Sequence, residues 1–239
     1  DSAGRRLTPQ PAIPGARTVL LLGGSAMWGL SARDSQTIAA HLAAELTLRG
    51  VRDVQVVNMA QPGYNSTQEA ATLVLELARG RVPAAAVFMD GYNDIATAMN
   101  TGIVGRTYDQ ANAQRLLDLG RRGFVAELSG LGRHSALLQR IQLAVGPAQP
   151  RPPRAAEHLC PAVAAYYAGI ERTVQGVART WGFPALVFLQ PHNAASAKPL
   201  TPFEATLPRI PQLARCLAKL DSAMAREAGR TFLDLRGAF

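Results

Sequence analysis

Short runs of apolar and β-branched residues recur along the chain, and segments with helical spacing separate them. The five runs are Thr18–Leu22, Val54–Asn58, Ala84–Met89, Ala185–Leu189 and Thr231–Leu235. Strands that alternate with helices pair in parallel through right-handed crossovers, and short strands without polar alternation are covered on both faces. The alternation predicts one α/β domain of three α/β/α layers, built on a five-stranded parallel sheet with a flavodoxin-like strand order.

The segments between these runs predict the helices and the flanking loops. Apolar spacing indicates helices over residues 36–49, 108–119, 133–145, 156–181 and 210–228, and a further one ending near Gly80 with Ser66 or Thr67 as its cap. Three prolines within residues 9–14 predict that residues 1–16 form an extended N-terminal tether, which leaves residues 17–239 as the domain. The stretch from 95 to 154 is longer than a single crossover requires, and its proline-rich end at 146–154 is expected to be a loop.

Charge and hydropathy narrow the range of partners. The 239-residue chain has a formal net charge of +8, but its arginines are scattered and not interleaved with aromatic residues. No nucleic-acid partner is therefore expected, whereas anionic glycans or membrane surfaces remain compatible with the charge. No apolar stretch approaches the ~18 residues of a membrane helix. Because the chain begins with Asp1 and not with Met, we expect a trimmed form, and membrane association through a removed N-terminal segment is left open.

The two cysteines, Cys160 and Cys216, lie in helix-like segments far apart in the sequence. They are either two buried thiols or one disulfide, and the sequence leaves both alternatives open. A disulfide is typical of oxidising compartments, so it would favour a periplasmic or extracellular location.

Three strand ends carry residues suited to acyl chemistry. Ser25 follows the first run on a Gly-Gly turn, Gly63 follows the second, and Asn93 follows the third. In a parallel sheet these ends meet at one edge, where α/β proteins bind their ligands. A serine nucleophile needs hydrogen-bond donors aimed at the oxyanion, and a glycine backbone N–H and an asparagine amide are suitable. Taken singly, the serine turn is also compatible with a phosphate-binding or plain loop, Gly63 with a simple turn, and Asn93 with a helix cap.

The series Gly24-Ser25 with Gly29, then Gly63, then Gly91-Tyr92-Asn93-Asp94 resembles the SGNH (GDSL-like) serine hydrolases. Gly24 stands where that family usually has Asp, which shapes the turn and is not the nucleophile. The resemblance implies that Ser25 is the nucleophile and that Ser25, Gly63 and Asn93 form the oxyanion hole.

The same resemblance implies an esterase or deacetylase that acts through an acyl-enzyme on an O-acyl ester, such as one on a cell-envelope glycan or lipid. Neither an organic cofactor nor a metal is implied, since no ligand cluster has metal-binding spacing. Acyl transfer by the same nucleophile and a non-catalytic binding module with this fold are the alternatives. A nucleotide-binding protein is disfavoured because neither G-x-G-x-x-G nor a P-loop lysine is present.

A serine nucleophile also needs a base, and the sequence places none convincingly. In the family the base lies in a D-x-x-H block after the last strand, and these 239 residues contain no such block there. His41, His134 and His158 are predicted to be structural, whereas His192 follows the fourth strand and is the candidate that faces substrate. We expect the polypeptide to continue past Phe239 and to carry the catalytic Asp and His there.

Overall fold

The computed structural model describes residues 4–108, 110, 156–192, 201–206, 211–227 and 232–234. The strands in these ranges are β1 (Arg17–Gly23), β2 (Val54–Asn58), β3 (Ala85–Asp90), β4 (Ala185–Leu189) and β5 (Phe232–Asp234). The helices there are α1 (Ser25–Trp28), α2 (Ile38–Leu48), α3 (Ser66–Ala78), α4 (Tyr92–Thr101), α5 (Cys160–Trp181), α6 (Pro202–Thr206) and α7 (Pro211–Glu227). Short 3-10 turns precede α2 at Asp34–Gln36 and α5 at Ala156–Leu159.

The described strands form one sheet in the order β2-β1-β3-β4-β5, and every neighbouring pair is parallel. The register places Leu21 opposite Asn58, and Asp90 opposite Leu189. The predicted α/β class with a parallel sheet is thus confirmed. Because the strands are parallel, the segments that follow β1, β2, β3 and β4 all leave the sheet at the same edge.

Apolar side chains pack on both faces of the sheet. The larger core joins β1, β3 and β4 to α3, α5 and α7, with Phe88, Tyr167 and Leu217 among its buried members. The smaller core lies on the opposite face, where Leu21 and Met27 pack with residues of α2. Full burial of a leucine-sized side chain stabilises a fold by about 1.5–3 kcal/mol. Two cores on opposite faces give the three layers that the strand–helix alternation predicts.

A disulfide joins Cys160, at the start of α5, to Cys216 in α7. Their Cα atoms are 4.9 Å apart, and both residues belong to the larger core. Of the two alternatives that the sequence left open, the disulfide is therefore the one observed.

The segment predicted as an N-terminal tether contacts the sheet over part of its length. Gln10 hydrogen-bonds the backbone of Val56 on the outer edge of β2, donating through Nε2 to its carbonyl (2.5 Å) and accepting from its N–H (3.1 Å). Arg6 forms an antiparallel bridge with Asn58 at the end of the same strand. Because an edge strand presents unpaired backbone groups, these contacts cover an edge that would otherwise be open.

Two local features differ from the predictions. Helix α4, which was not predicted, begins two residues after β3 and runs into the stretch from 95 to 154 that was expected to exceed a crossover. Asn65, and neither Ser66 nor Thr67, caps α3, and it forms a capping box with Gln68. The helices predicted over 108–119 and 133–145 and the loop at 146–154 lie almost wholly outside the described residues. None of the helices that the structure describes is long and apolar enough to cross a membrane.

Candidate active site

Ser25 is the first residue of α1, and only Gly24 separates it from Gly23, the last residue of β1. The Ser25 carbonyl accepts hydrogen bonds from the N–H groups of Gly29 (3.1 Å) and Leu30 (3.0 Å). The buried side chain of Asn58, at the end of β2, donates to the carbonyl of Met27 (3.0 Å). The turn that carries the serine is therefore held by its own short helix and by the neighbouring strand.

Asn93 connects the segments that follow β1, β2 and β3. It is the second residue of α4, and its Nδ2 donates to the carbonyl of Tyr64 at 2.6 Å. The same amide lies so close to Gly24 that a Cβ there would overlap Nδ2. The structure thus brings Asn93 against the residue before Ser25 and against the residue after Gly63. This is the convergence that parallel pairing predicts.

Gly63 lies in the loop after β2 with a φ of +83°, a conformation that favours glycine. The ring of Tyr108 lies against it, 3.5 Å from the position that a Cβ would take. Tyr64, the next residue, donates its N–H to the carbonyl of Gln61 (3.1 Å). The loop is therefore a tight turn covered by an aromatic ring, next to the Asn93 amide.

His192 follows β4 at the same edge of the sheet. Its ring stacks on that of Tyr92, with centroids 4.9 Å apart and an interplanar angle of 13°. Burial lowers the pKa of His192, which favours the neutral imidazole. Tyr92 directly precedes Asn93, so the histidine packs beside the helix turn that carries the amide.

Asp94 holds the start of α3 against the start of α4. Its carboxylate accepts from the hydroxyl of Ser66 (2.6 Å) and from the Ser66 N–H (3.2 Å). Asn65 donates from Nδ2 to the carbonyl of Arg106 (2.9 Å) as well as capping α3. These buried contacts fix the relative positions of the helix that carries Asn93 and the loop that carries Gly63.

A buried acidic cluster, formed by Glu69, Asp90, Asp94 and Glu171, lies behind this edge. The hydroxyl of Tyr167 donates a hydrogen bond to Asp90. Carboxyl oxygens of Glu69 and Glu171 are buried without a hydrogen-bond partner of good geometry in the described part of the chain. Sequence reasoning missed this cluster, since its members come from α3, β3, α4 and α5 and share no spacing along the chain.

Burial is the main cause of the raised pKa values in the acidic cluster. Burial, together with the charge of Asp94, raises the pKa of Asp90 to about 7, and the hydrogen bond from Tyr167 opposes the rise. Burial and the charge of Asp90 raise the pKa values of Glu69 and Glu171 well above their usual range. The raised pKa values favour the protonated carboxyl groups, which reduces the number of unpaired charges in the interior.

Arg6 brings the N-terminal segment to the serine turn. Its guanidinium pairs with Asp34 (2.8 Å), donates to the carbonyl of Ala32 (2.7 Å) and lies over the ring of Trp28, 5.9 Å from the centroid. Gln61 donates from Nε2 to the carbonyl of Gly4 (2.9 Å). No local pattern predicts these contacts of Arg6, because a lone arginine near several prolines has no periodic spacing.

The described residues contain no group of three or more His, Cys, Asp or Glu side chains placed to hold a metal ion. The arrangement at the edge is instead a serine on a helix turn, with an amide and a glycine loop beside it.

The sequence and the structure were each compared with those of known proteins. No family model matches the sequence, and no curated protein matches it. Among solved structures, the esterase AlinE4, described as a member of the SGNH-hydrolase family, aligns with a TM-score of 0.51 and 11% sequence identity. The alignment covers 95% of this chain and 78% of AlinE4. The chain therefore has the SGNH-hydrolase fold, and the resemblance seen in the sequence is confirmed at the level of fold.

Other solved structures align over similar lengths. TesA has a TM-score of 0.46 and 18% identity, with 92% of this chain and 78% of TesA covered. The acetyl xylan esterase AlAXEase has a TM-score of 0.46 and 12% identity, with 92% of this chain and 77% of the esterase covered.

Proposed function

We propose that this chain is a serine ester hydrolase of the SGNH type. Ser25 Oγ attacks the carbonyl carbon of an O-acyl ester, the alcohol leaves with a proton, and the acyl group stays on the serine. Water then attacks this acyl-enzyme, which releases the carboxylic acid and restores the hydroxyl. The observation that carries the proposal is the position of Asn93, whose amide contacts both the turn of Ser25 and the loop of Gly63.

The oxyanion hole is assigned to the backbone N–H groups of Ser25 and Gly63 and to the side-chain amide of Asn93. An amide nitrogen carries two protons, and the Tyr64 carbonyl accepts one of them. The second proton is the donor that we assign to the oxyanion. Because the Tyr64 hydrogen bond fixes the amide plane, this donor is oriented before substrate arrives, which is the condition for effective electrostatic stabilisation.

The substrate that we propose is an acylated glycan or lipid outside the cytoplasm. The disulfide between Cys160 and Cys216 supports an oxidising compartment. In hydrolysis water accepts the acyl group from the enzyme, whereas in acyl transfer another alcohol accepts it. Adding an alcohol acceptor to the assay therefore distinguishes the two reactions.

The nucleophile is tested with a short aryl acetate and the Ser25→Ala variant. We expect the wild-type rate to fall by at least about 10³-fold, because the covalent step is lost. Ser35→Ala, an exposed serine in the turn before α2, is the matched control and should retain the wild-type rate. Equal rates for wild type and Ser25→Ala would remove Ser25 from the mechanism.

The role of His192 is tested separately with His192→Ala and the exposed His41→Ala as its control. If His192 accepts the serine proton, its loss lowers the rate by about 10²–10⁴-fold, and the residual rate lacks the acidic limb of the wild-type pH–rate profile. If it only packs on Tyr92, the variant keeps that limb and loses some stability. The second result would mean that the base is not His192 and is to be sought outside the described residues.

A further inference from the structure

A pocket of about 300 Å³ adjoins the turn that carries Ser25. The N-terminal segment from Gly4 to Leu7 forms one wall, and Trp28 with Asp34 forms the other. Trp28 follows Ser25 by three residues on α1, so the two lie on the same side of the helix, with Cβ atoms about 5–6 Å apart. The pocket therefore begins about one helical turn from Ser25.

Specific contacts of Arg6 hold the two walls of the pocket together. The Arg6 guanidinium reaches from the N-terminal segment to Asp34 and to the Ala32 carbonyl, and it covers part of the Trp28 ring. The Arg6 side chain is only 19% exposed, whereas that of Asp34 is 53% exposed. The arginine is thus structural, and the carboxylate keeps a face toward solvent and the pocket.

The residues that line the pocket favour one of the two proposed substrate classes, the glycan, over the lipid. A long acyl or alkyl chain would require a continuous apolar wall, but here charged and backbone groups interrupt it. A pocket lined by an indole and a carboxylate suits a sugar ring, whose C–H groups pack on the part of the indole that Arg6 leaves uncovered and whose hydroxyls donate to the carboxylate. We propose that this pocket holds the sugar residue that carries the ester, so that the alcohol half of the substrate is a glycan. This inference rests on the proposed hydrolase function.

The test compares two esters of the same acid, an aryl acetate and a singly O-acetylated disaccharide. With Trp28→Ala we expect kcat/KM for the disaccharide to fall about tenfold, mainly through KM, because one packing surface is lost. The rate with the aryl acetate should change less than about twofold. Trp28→Tyr, which keeps an aromatic face, should recover most of the disaccharide activity. The matched control is Trp181→Ala, the other tryptophan of the chain, at the exposed end of α5.

Asp34→Asn is the second variant, since it keeps the shape of the pocket and weakens only the acceptor and the ion pair. We expect it to raise KM for the disaccharide and to leave the aryl acetate unaffected. An equal fall with both esters in Trp28→Ala, or no change with either, would overturn the sugar subsite. So would a wild-type protein that cleaves the aryl acetate through Ser25 but not the disaccharide. Absence of Ser25-dependent cleavage of both esters would instead count against the proposed function itself.

Discussion

At Gly24 the lack of a side chain decides where the amide of Asn93 can lie. A Cβ at this position would overlap Nδ2 of Asn93 and approach the Tyr64 carbonyl to 3.2 Å. We therefore predict that Gly24→Ala displaces the amide and removes one oxyanion donor, lowering kcat by on the order of 100-fold. The loss should appear in kcat with aryl acetate, while KM changes little, since the donor acts on the transition state.

The control for this substitution is Gly169→Ala in α5. A Cβ there meets only the end of the Arg172 side chain, at 3.8 Å. Alanine favours a helix over glycine by about 1 kcal/mol, so this variant should be slightly more stable and fully active. If Gly24→Ala keeps the wild-type kcat, the amide of Asn93 is not an oxyanion donor in this geometry.

Glu69 and Glu76 are two turns apart on α3 and are both buried, yet their pKa values shift in opposite directions. Burial raises the pKa of Glu69, and the neighbouring charge of Asp90 raises it further. Burial would also raise the pKa of Glu76, but hydrogen bonds from Arg79 and Arg81 outweigh it, and the pKa is lowered. The pair provides an internal comparison of a buried carboxyl group without and with a cationic partner.

The acidic cluster should make the protein less stable at higher pH. A carboxyl whose folded pKa is raised, as for Asp90 at about 7, binds its proton more tightly in the folded state. Its stabilisation is therefore full below the unfolded pKa and is lost as pH rises through the folded pKa. We predict that Glu69→Gln removes part of this loss and raises the midpoint of thermal unfolding at pH 8 by on the order of 3 °C.

The measurement is thermal unfolding of both variants from pH 5 to pH 8. Glu76→Gln should behave in the opposite way, because its ionised form is the stabilising one and its loss lowers the midpoint at neutral pH. A Glu69→Gln protein whose midpoint falls with pH as steeply as the wild type would show that this carboxyl does not carry the effect.

Among the elements, the outer edge of β2 depends on a side chain from outside the sheet. Gln10 supplies a donor and an acceptor to the Val56 backbone, as a paired strand would. We predict that Gln10→Ala lowers the free energy of unfolding by about 1–2 kcal/mol, because two hydrogen bonds are lost. Amide hydrogen exchange at Val56 should become faster in this variant.

Arg17→Ala is the control, since it removes an exposed ion pair between Arg17, the first residue of β1, and Asp53, which directly precedes β2. Both partners of that pair are 64% exposed, so its loss should cost no more than about 0.5 kcal/mol. Similar losses in the two variants would mean that the Gln10 contacts add nothing beyond a surface interaction.

The elements that sequence reasoning located well are those with strong local signals. The apolar run at Ala185–Leu189 is β4 to the residue, and the helix predicted over 210–228 is observed as α7, Pro211–Glu227. Helix α4 was missed because Tyr92–Thr101 is rich in Asn, Asp and Thr, which are weak helix formers. Its formation depends on tertiary contacts, including those of Asp94 with α3, which no local pattern reports.

At the scale of the whole molecule, topology predicted more of the site than any single motif did. Parallel pairing was enough to place Ser25, Gly63 and Asn93 at one edge. It could not predict the acidic cluster or the contacts of Arg6, because both join residues distant in sequence through side-chain packing. Glu69 and Glu171, for example, are about a hundred positions apart and approach each other only when α3 and α5 pack together.

The disulfide links α5 and α7, two helices of the larger core, and we expect it to add substantially to the stability of the fold. Cys160 and Cys216 are 56 positions apart, and in the chain-entropy model closing a loop of this length corresponds to about 4 kcal/mol. We predict that reduction, or the double variant Cys160→Ala and Cys216→Ala, lowers the free energy of unfolding by about that amount. Denaturant unfolding with and without a reductant measures this loss of stability, and the double variant is its own control, since it should not respond to reductant.

Because α5 and α7 do not contribute Ser25 or Asn93, the double variant should retain its activity toward aryl acetate below its unfolding midpoint. Activity that falls with reduction while the fold persists would show that the packing of these helices reaches the catalytic edge.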